Sequence, residues 1–212
     1  MSSMIARMRG AALIGALVLT FLGRADAQGL TPDAARRFVE SVGNQAVDVV
    51  ASPRRAVDRR AAFARIMLAS LDFNAIGTVA LGRLARKAAA EQRREFMPLF
   101  AAYAIDVAVA KFGNLQRLRF GLGRATRQPD GDVKVHTRVE TGDRPMEILW
   151  RVRNTAGRPR ITDIEVDGAS LAIYYRGEID RADVDDVPQL IARLRDMTWN
   201  SSTVTITQQA MR

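Results

Sequence analysis

The chain has 212 residues, of which 48% are hydrophobic and 26% are charged. This length and apolar content predict one folded domain and exclude global disorder, and the absence of cysteine excludes disulfide scaffolds, zinc–cysteine sites and thiol catalysis. The formal net charge of +9 would by itself suggest a nucleic-acid partner, so the N-terminus has to be interpreted first.

The N-terminal segment has the three parts of a secretory signal peptide. Arg7 and Arg9 precede an uncharged, mostly apolar run at 11–23, and Ala-Asp-Ala at 25–27 is a small-x-small cleavage site. The apolar run is too short to span a bilayer comfortably. We therefore expect cleavage after Ala27 and export to the periplasm, with an uncleaved anchor or a buried helix as the alternative.

Removal of residues 1–27 takes away three arginines and one aspartate, which leaves a mature chain 28–212 with a charge of +7. No later apolar run is long enough for a membrane span, so we expect a soluble exported domain over 28–199 and a polar, frayed tail over 200–212. An exported protein rarely meets nucleic acid. The basic surface is then either ordinary solvated arginine or a surface for acidic lipid headgroups or an acidic partner.

The first half of the mature chain has helical periodicity. Thr31-Pro32 predicts the start of the first helix, as an N-cap followed by proline. A second helix is predicted over about 55–71, a short third helix begins after Asp72, and a long helix covers about 88–112. Pro98 lies inside the long helix and predicts a kink there.

The second half changes to an alternating pattern. Strands are predicted over 117–124, 133–141, 146–153, 161–167 and 169–176. Asp185 or Asp186 then caps a last helix at about 187–197. Helices followed by consecutive antiparallel strands predict an α+β fold, with N-terminal helices packed on a curved antiparallel sheet of four to five strands.

Catalytic and metal-binding signals are weak. His136, the single histidine, lies on the charged face of its strand, so we interpret it as a solvent-facing residue rather than a general base. Ser170 lies in half of a nucleophile elbow, but no histidine follows it in the chain. We therefore predict no catalytic residue and no cofactor.

An acidic cluster precedes the last helix, and it comprises Asp180, Asp183, Asp185 and Asp186. It could bind a hard cation, but it lacks the alternating spacing and the glycine of a calcium loop. Negative charge at a helix N-terminus is the simpler interpretation, so no metal site is predicted.

Two parts of the chain resemble one known family. The matching segments are 71–77 (LDFNAIG), 81–83 (LGR), 91–96 (EQRREF), 163–171 (DIEVDGASL) and 174–176 (YYR). They are similar to the motifs of MlaC-type periplasmic lipid-binding proteins, also described as toluene-tolerance or organic-solvent-resistance auxiliary components of ABC transporters. The resemblance covers about residues 35–200.

Three departures from the family pattern favour a divergent branch. Leu84-Ala85 stands where the family often has tryptophan, 159–163 (PRITD) stands where it often has Trp-Lys-Ile-x-Asp, and alanines at 88–90 replace its usual cap. The hopanoid-associated, HpnM-like branch shares the main motifs. The resemblance is thus compatible with a phospholipid or a hopanoid as ligand.

The resemblance implies a fold related to nuclear transport factor 2, with helices and a curved sheet that enclose an apolar pocket. It implies a soluble periplasmic carrier that moves a membrane lipid between an outer-membrane lipoprotein–porin complex and an inner-membrane ABC transporter, in support of outer-membrane lipid asymmetry. It implies no enzyme activity and only peripheral contact with membranes.

Candidate lipid-binding residues come from the apolar faces of the predicted elements, together with one arginine that could lie near a headgroup. They are Phe73, Ile76, Phe96, Phe100, Tyr103, Val107, Ile148, Trp150, Ile164, Val166, Leu171, Ile173, Tyr175 and Arg176. Each could instead belong to an ordinary packed core or surface. Trp150 and Tyr103 are favoured at the pocket mouth, since a large ring with one polar edge suits that position.

Two other functions remain open at this point. A small isomerase or cyclase on the same fold would need carboxylates that face the pocket, but Asp163 and Asp167 have the parity opposite to the apolar residues Ile164 and Val166. A non-binding envelope adaptor would instead have a filled core without a cavity.

Overall fold

The computed structural model describes residues 29–53, 55–112, 119–140, 145–198 and 202–211. The predicted signal peptide and its cleavage site lie outside these residues. None of the described helices combines the length and the hydropathy needed to cross a membrane.

The helices come mainly before the sheet, and three more follow it. They are α1 (Pro32–Ala51), α2 (Ala56–Ser70), α3 (Phe73–Leu81), α4 (Ala90–Phe112), α5 (Leu171–Arg181), α6 (Val187–Thr198) and α7 (Ser202–Ala210), with a 3-10 turn at Gly82–Arg86. The strands are β1 (Arg119–Arg127), β2 (Val133–Glu140), β3 (Pro145–Thr155), β4 (Arg158–Val166) and β5 (Ala169–Ser170). They form one antiparallel sheet in chain order. The predicted α+β class and the antiparallel sheet of four to five strands are confirmed.

Three of the predicted helix starts are confirmed by side-chain caps. Thr31 accepts a hydrogen bond from the backbone N–H three residues ahead at 3.2 Å. Asp72 and Asp186 accept the equivalent bonds at 2.9 Å each. Each cap satisfies one of the backbone donors that a helix start leaves without an intrahelical partner.

The predicted strand at 169–176 is wrong beyond its first two residues. Only Ala169 and Ser170 pair with β4, and the remainder begins α5. Ala172, Tyr175 and Ile179 are buried at intervals of three and four residues, which is the helical period. The predicted strand face of Leu171, Ile173 and Tyr175 therefore does not exist. A short apolar run after a strand is compatible with either a further strand or the start of a helix. Here the Ser170 side chain caps the first turn, and the segment is helical.

The segment that we expected to be a frayed tail contains α7. Thr203 and Thr207 are buried in this helix, and Thr203 donates a hydrogen bond to Asp106 of α4 at 2.7 Å. The helix packs on α2 and α4. The threonines make this segment polar in sequence, which predicted a tail. Their hydroxyls are hydrogen-bonded, and this allows them to be buried.

One part of the core is a cluster of aromatic rings between the helices. The rings of Phe96 and Phe100 stack in α4 with a centroid distance of 5.4 Å. Tyr175 of α5 meets Phe100 edge-on, also at 5.4 Å, and its hydroxyl donates to the carbonyl oxygen of Ala104. These aromatic contacts join α4 to α5, while α1 packs on β1 and β2 and α2 contacts β4.

The register of the sheet fixes the direction of α1 and α2. At one end of the sheet, which we call the Arg119 end, Arg119 pairs with Glu140, and Glu140 pairs with Pro145. Arg127, at the other end of β1, donates to the carbonyl oxygen of Leu30 before α1. The last turns of α1 and the first turns of α2 therefore lie towards the Arg119 end of the sheet. Leu71, just after α2, bridges to β4 far from that end.

Candidate functional site

An apolar cavity lies between α1, α2 and one face of the sheet, and we call it the central pocket. Its volume is about 470 Å³, within the range of about 300–1,000 Å³ that is typical of small-molecule sites. Its walls are almost entirely apolar. They comprise Val42, Gly43, Ala46, Val50, Phe63, Ile66, Met67, Leu71, Ala108, Phe120, Val139, Met146, Ile148, Trp150, Ile164, Val166, Ala169, Leu171 and Tyr174.

The sheet wall keeps its polar groups paired. The indole N–H of Trp150 donates to the hydroxyl of Thr137 on the neighbouring strand at 2.8 Å, and Thr137 is itself buried. An indole donor buried without a partner would lose its hydration without compensation. Because this donor is bonded within the sheet, the Trp150 ring can line an apolar space. Its polar edge does not mark the mouth, in contrast to what its residue type suggested.

Small residues in the helix wall leave space for the pocket. A Cβ atom on Gly43 would lie 2.5 Å from the Phe120 ring, so glycine allows this ring to pack directly on α1. Ala46 and Ala108 face the pocket from α1 and α4. Tyr174 also lines the pocket and is 38% exposed, so the pocket reaches the surface beside this ring.

Among the described residues, the pocket lining includes no carboxylate, imidazole, amine or guanidinium. Asp163 accepts hydrogen bonds from Ser170 and the α5 backbone, and Asp167 accepts one from the Glu147 N–H at 3.0 Å. Ser170 is a helix cap rather than a nucleophile. The carboxylates considered for an isomerase are therefore engaged in structural contacts outside the pocket lining, and the described lining residues provide no acid–base pair.

The acidic cluster before α6 has structural roles. Asp180 lies 3.7 Å from Arg83 and 4.0 Å from Arg176, and Asp186 caps α6. Among the described residues, no group of three or more His, Cys, Asp or Glu side chains is placed to hold a metal ion.

Five of the predicted site residues line the central pocket, all from the second half of the chain. They are Ile148, Trp150, Ile164, Val166 and Leu171. Five others belong to the buried core, namely Phe73, Ile76, Phe96, Phe100 and Tyr175.

The remaining four predicted residues also lie elsewhere. Tyr103 lines a separate groove between α4, α5 and α6, and Val107 of α4 is not among the residues that line the central pocket. Ile173 is 54% exposed on α5. Arg176 packs across Gly82, where a Cβ would lie 2.9 Å from its Nε atom, and its nearest carboxylate is Asp180.

The helix wall of the pocket was missed by the sequence analysis. Its members on α1 and α2 are Val42, Gly43, Ala46, Val50, Phe63, Ile66 and Met67. Their helical spacing predicts a buried face correctly, but a buried face and a cavity wall have the same periodicity. The only local signal is the pair of small residues, Gly43 and Ala46, within that face.

Comparison with known proteins gives one family and one fold. The sequence profile of the family described as MlaC protein matches residues 40–196. A phospholipid-binding protein from Ralstonia solanacearum, solved in complex with a phospholipid, has a similar fold with a TM-score of 0.65. The match is 17% identical and covers 82% of this chain and 98% of that chain. No curated protein matches the sequence significantly.

Proposed function

Because the chain belongs to the MlaC family, we propose that it is a lipid carrier rather than an enzyme. The central pocket holds the acyl or isoprenoid tails of a membrane lipid. The observation that carries this proposal is the pocket itself, a volume of about 470 Å³ with apolar walls and no catalytic pair among its described lining residues. A filled core, as expected for an adaptor, would have no such volume.

The energetics of tail burial favour a carrier that delivers its lipid by docking. Each buried methylene contributes about 0.8 kcal/mol, so a tail of about 14 methylenes contributes roughly 11 kcal/mol. Release of such a tail into water would be very slow. The tail therefore passes directly from this pocket to another apolar pocket, and the carrier needs no nucleotide site of its own.

We place the carrier in the periplasm, between an outer-membrane lipoprotein–porin complex and an inner-membrane ABC transporter. Family membership and the signal peptide predicted at residues 1–27 support this location. The phospholipid in the Ralstonia solanacearum structure supports a phospholipid as the ligand. A hopanoid is the alternative, because the departures from the family pattern favour a divergent branch.

The direct test is the lipid content of protein purified from a bacterial periplasm, measured by native mass spectrometry and by lipid extraction. We expect bound lipid in the wild type and less in Ala46→Phe, because the new ring projects into the pocket. Ala192→Phe is the matched control, since it places the same ring on an exposed position of α6. A wild-type protein that carries no lipid and takes none from vesicles would overturn the proposal.

A further inference from the structure

A second, smaller cavity adjoins the central pocket and has a different chemical character. Its volume is about 180 Å³, and it lies between the end of α1, the start of α2 and the end of α4. Val50 and Phe63 line both cavities, so the two share a wall. Arg59 and Arg60 also line the smaller cavity, whereas the described lining of the central pocket has no charged side chain.

The position of the smaller cavity follows from the sheet register. The last turns of α1 and the first turns of α2 lie towards the Arg119 end of the sheet, and both arginines belong to the first turns of α2. The opposite limit of the central pocket, at Leu71, adjoins Ile161 of β4. A lipid with its tails directed towards Leu71 would therefore have its polar end near the two arginines.

Arg60 is held in place by neighbours on two other helices. Its Nη2 atom lies 2.5 Å from the carboxylate of Asp106 on α4, and its Nε atom donates to Thr203 on α7 at 3.4 Å. The Arg60 side chain is 37% exposed. A guanidinium has five N–H donors, so these two contacts leave donors that can reach a ligand. Arg59 lines the same cavity, so two guanidiniums adjoin it.

We propose that the smaller cavity is a phosphate subsite, in which Arg59 and Arg60 bind the phosphate of a lipid whose tails fill the central pocket. This inference rests on the proposed carrier function and specifies its ligand. Guanidinium groups match phosphate oxygens in charge and geometry, and charge-assisted hydrogen bonds are stronger than neutral ones. The subsite selects a phospholipid over a lipid without phosphate, such as a hopanoid.

The test offers two lipids that differ only in the phosphate. Lipid-free mature protein is incubated with vesicles that contain equal amounts of phosphatidic acid and diacylglycerol with identical tails, and the bound lipids are counted by mass spectrometry. We compare the wild type with R59A/R60A. R55A/R65A is the matched control, because it removes one charge just before α2 and one from α2 itself, at exposed positions that line neither cavity.

We expect the wild type to prefer phosphatidic acid, and R59A/R60A to lose this preference by roughly tenfold or more, the size expected for charge-assisted hydrogen bonds. Uptake of diacylglycerol should stay unchanged, and the control should resemble the wild type. Because the Arg60–Asp106 pair joins α2 to α4, the double variant could lose stability. Arg59→Gln leaves that pair intact and should still lower the preference severalfold.

Three results would overturn the inference in different ways. An unchanged lipid preference in R59A/R60A and in Arg59→Gln would remove the phosphate subsite and leave the tail pocket standing. Uptake of neither lipid by the wild type would remove the carrier function itself. Binding of inorganic phosphate to the arginines without competition against phosphatidic acid would identify a site for free phosphate instead of a headgroup.

Discussion

Ser170 donates a hydrogen bond from its Oγ atom to Oδ2 of Asp163 at 2.6 Å, across the turn that joins β4 to α5. The same Ser170 hydroxyl accepts a backbone N–H of the first turn of α5 at 3.2 Å, and Asp163 accepts another at 3.2 Å. The pair therefore fixes where α5 begins. Leu171 and Tyr174, in the first turn of that helix, then form part of the wall of the central pocket.

Ser170→Ala should lower the free energy of unfolding by about 1 kcal/mol, since it removes an N-cap and leaves Asp163 without one partner. Urea unfolding measures this change. Ser41→Ala is the control, because Ser41 is exposed on α1 and its hydroxyl contacts only the Gln45 side chain. If the two variants lost equal stability, the Asp163–Ser170 pair would have no special role.

The segment around this pair shows what sequence reasoning could achieve. Residues 163–171 were matched to a family motif from their types and order. The hydrogen bond between Asp163 and Ser170 could not be predicted from the sequence. It depends on the turn at Asp167 and Gly168, which both have positive φ. The alternation of apolar and polar residues in β2 to β4 could be recognised in the sequence, because one face of each strand packs against the interior.

The candidate site was only partly predictable for a related reason. The aromatic residues Phe96 and Phe100 have the strongest helical pattern, but they stack within the core between helices. The space for a ligand instead adjoins Gly43 and Ala46, where side chains are missing. Periodicity reports which face is buried and not how well that face is filled, so a cavity wall cannot be separated from a core.

Thr137→Val should destabilise the protein by about 1–2 kcal/mol, because the indole N–H of the half-buried Trp150 would lose its acceptor. Thr137 donates in turn to the carbonyl oxygen of Ile148 at 3.4 Å, so the substitution also affects the adjacent strand. Chemical unfolding gives the change in stability. Thr126→Val is the control, at an exposed position on β1. Equal stability of Thr137→Val and the wild type would contradict the inferred role of the hydrogen bond.

Asp132 joins the start of β2 to β3 through two arginines. Arg151 Nε lies 2.6 Å from one carboxylate oxygen of Asp132, and Arg153 Nε lies 2.7 Å from the other. Burial alone would raise the pKa of Asp132, but hydrogen bonds from Arg153 and Arg151 outweigh burial, and the pKa lies below its ordinary value. The charged form is therefore more stable in the folded protein than in the unfolded chain.

Asp132→Asn should cost about 1–2 kcal/mol at pH 7, less than for a fully buried pair because both arginines are partly exposed. A lowered pKa in the folded state gives stability that is complete above the unfolded value of about 3.9 and is lost as the pH falls through the folded value. Urea unfolding of both proteins should show a constant difference above about pH 5 and a smaller one at lower pH. A difference that grew on acidification would contradict the assigned direction.

Gly43→Ala should shrink the central pocket without removing any polar contact. The added methyl would lie 2.5 Å from the Phe120 ring, which must then move, and the central pocket beside it is the available space. Bound lipid would keep the ring overpacked at a cost of about 1–3 kcal/mol, so lipid affinity should fall roughly fivefold or more. Lipid uptake from vesicles measures this fall. Gly177→Ala is the control, since its added methyl would meet only the end of the Arg181 side chain at 3.4 Å. Phe120→Leu combined with Gly43→Ala should restore uptake because the smaller side chain vacates the contact, and uptake that stayed low in this double variant would place the defect in α1 itself.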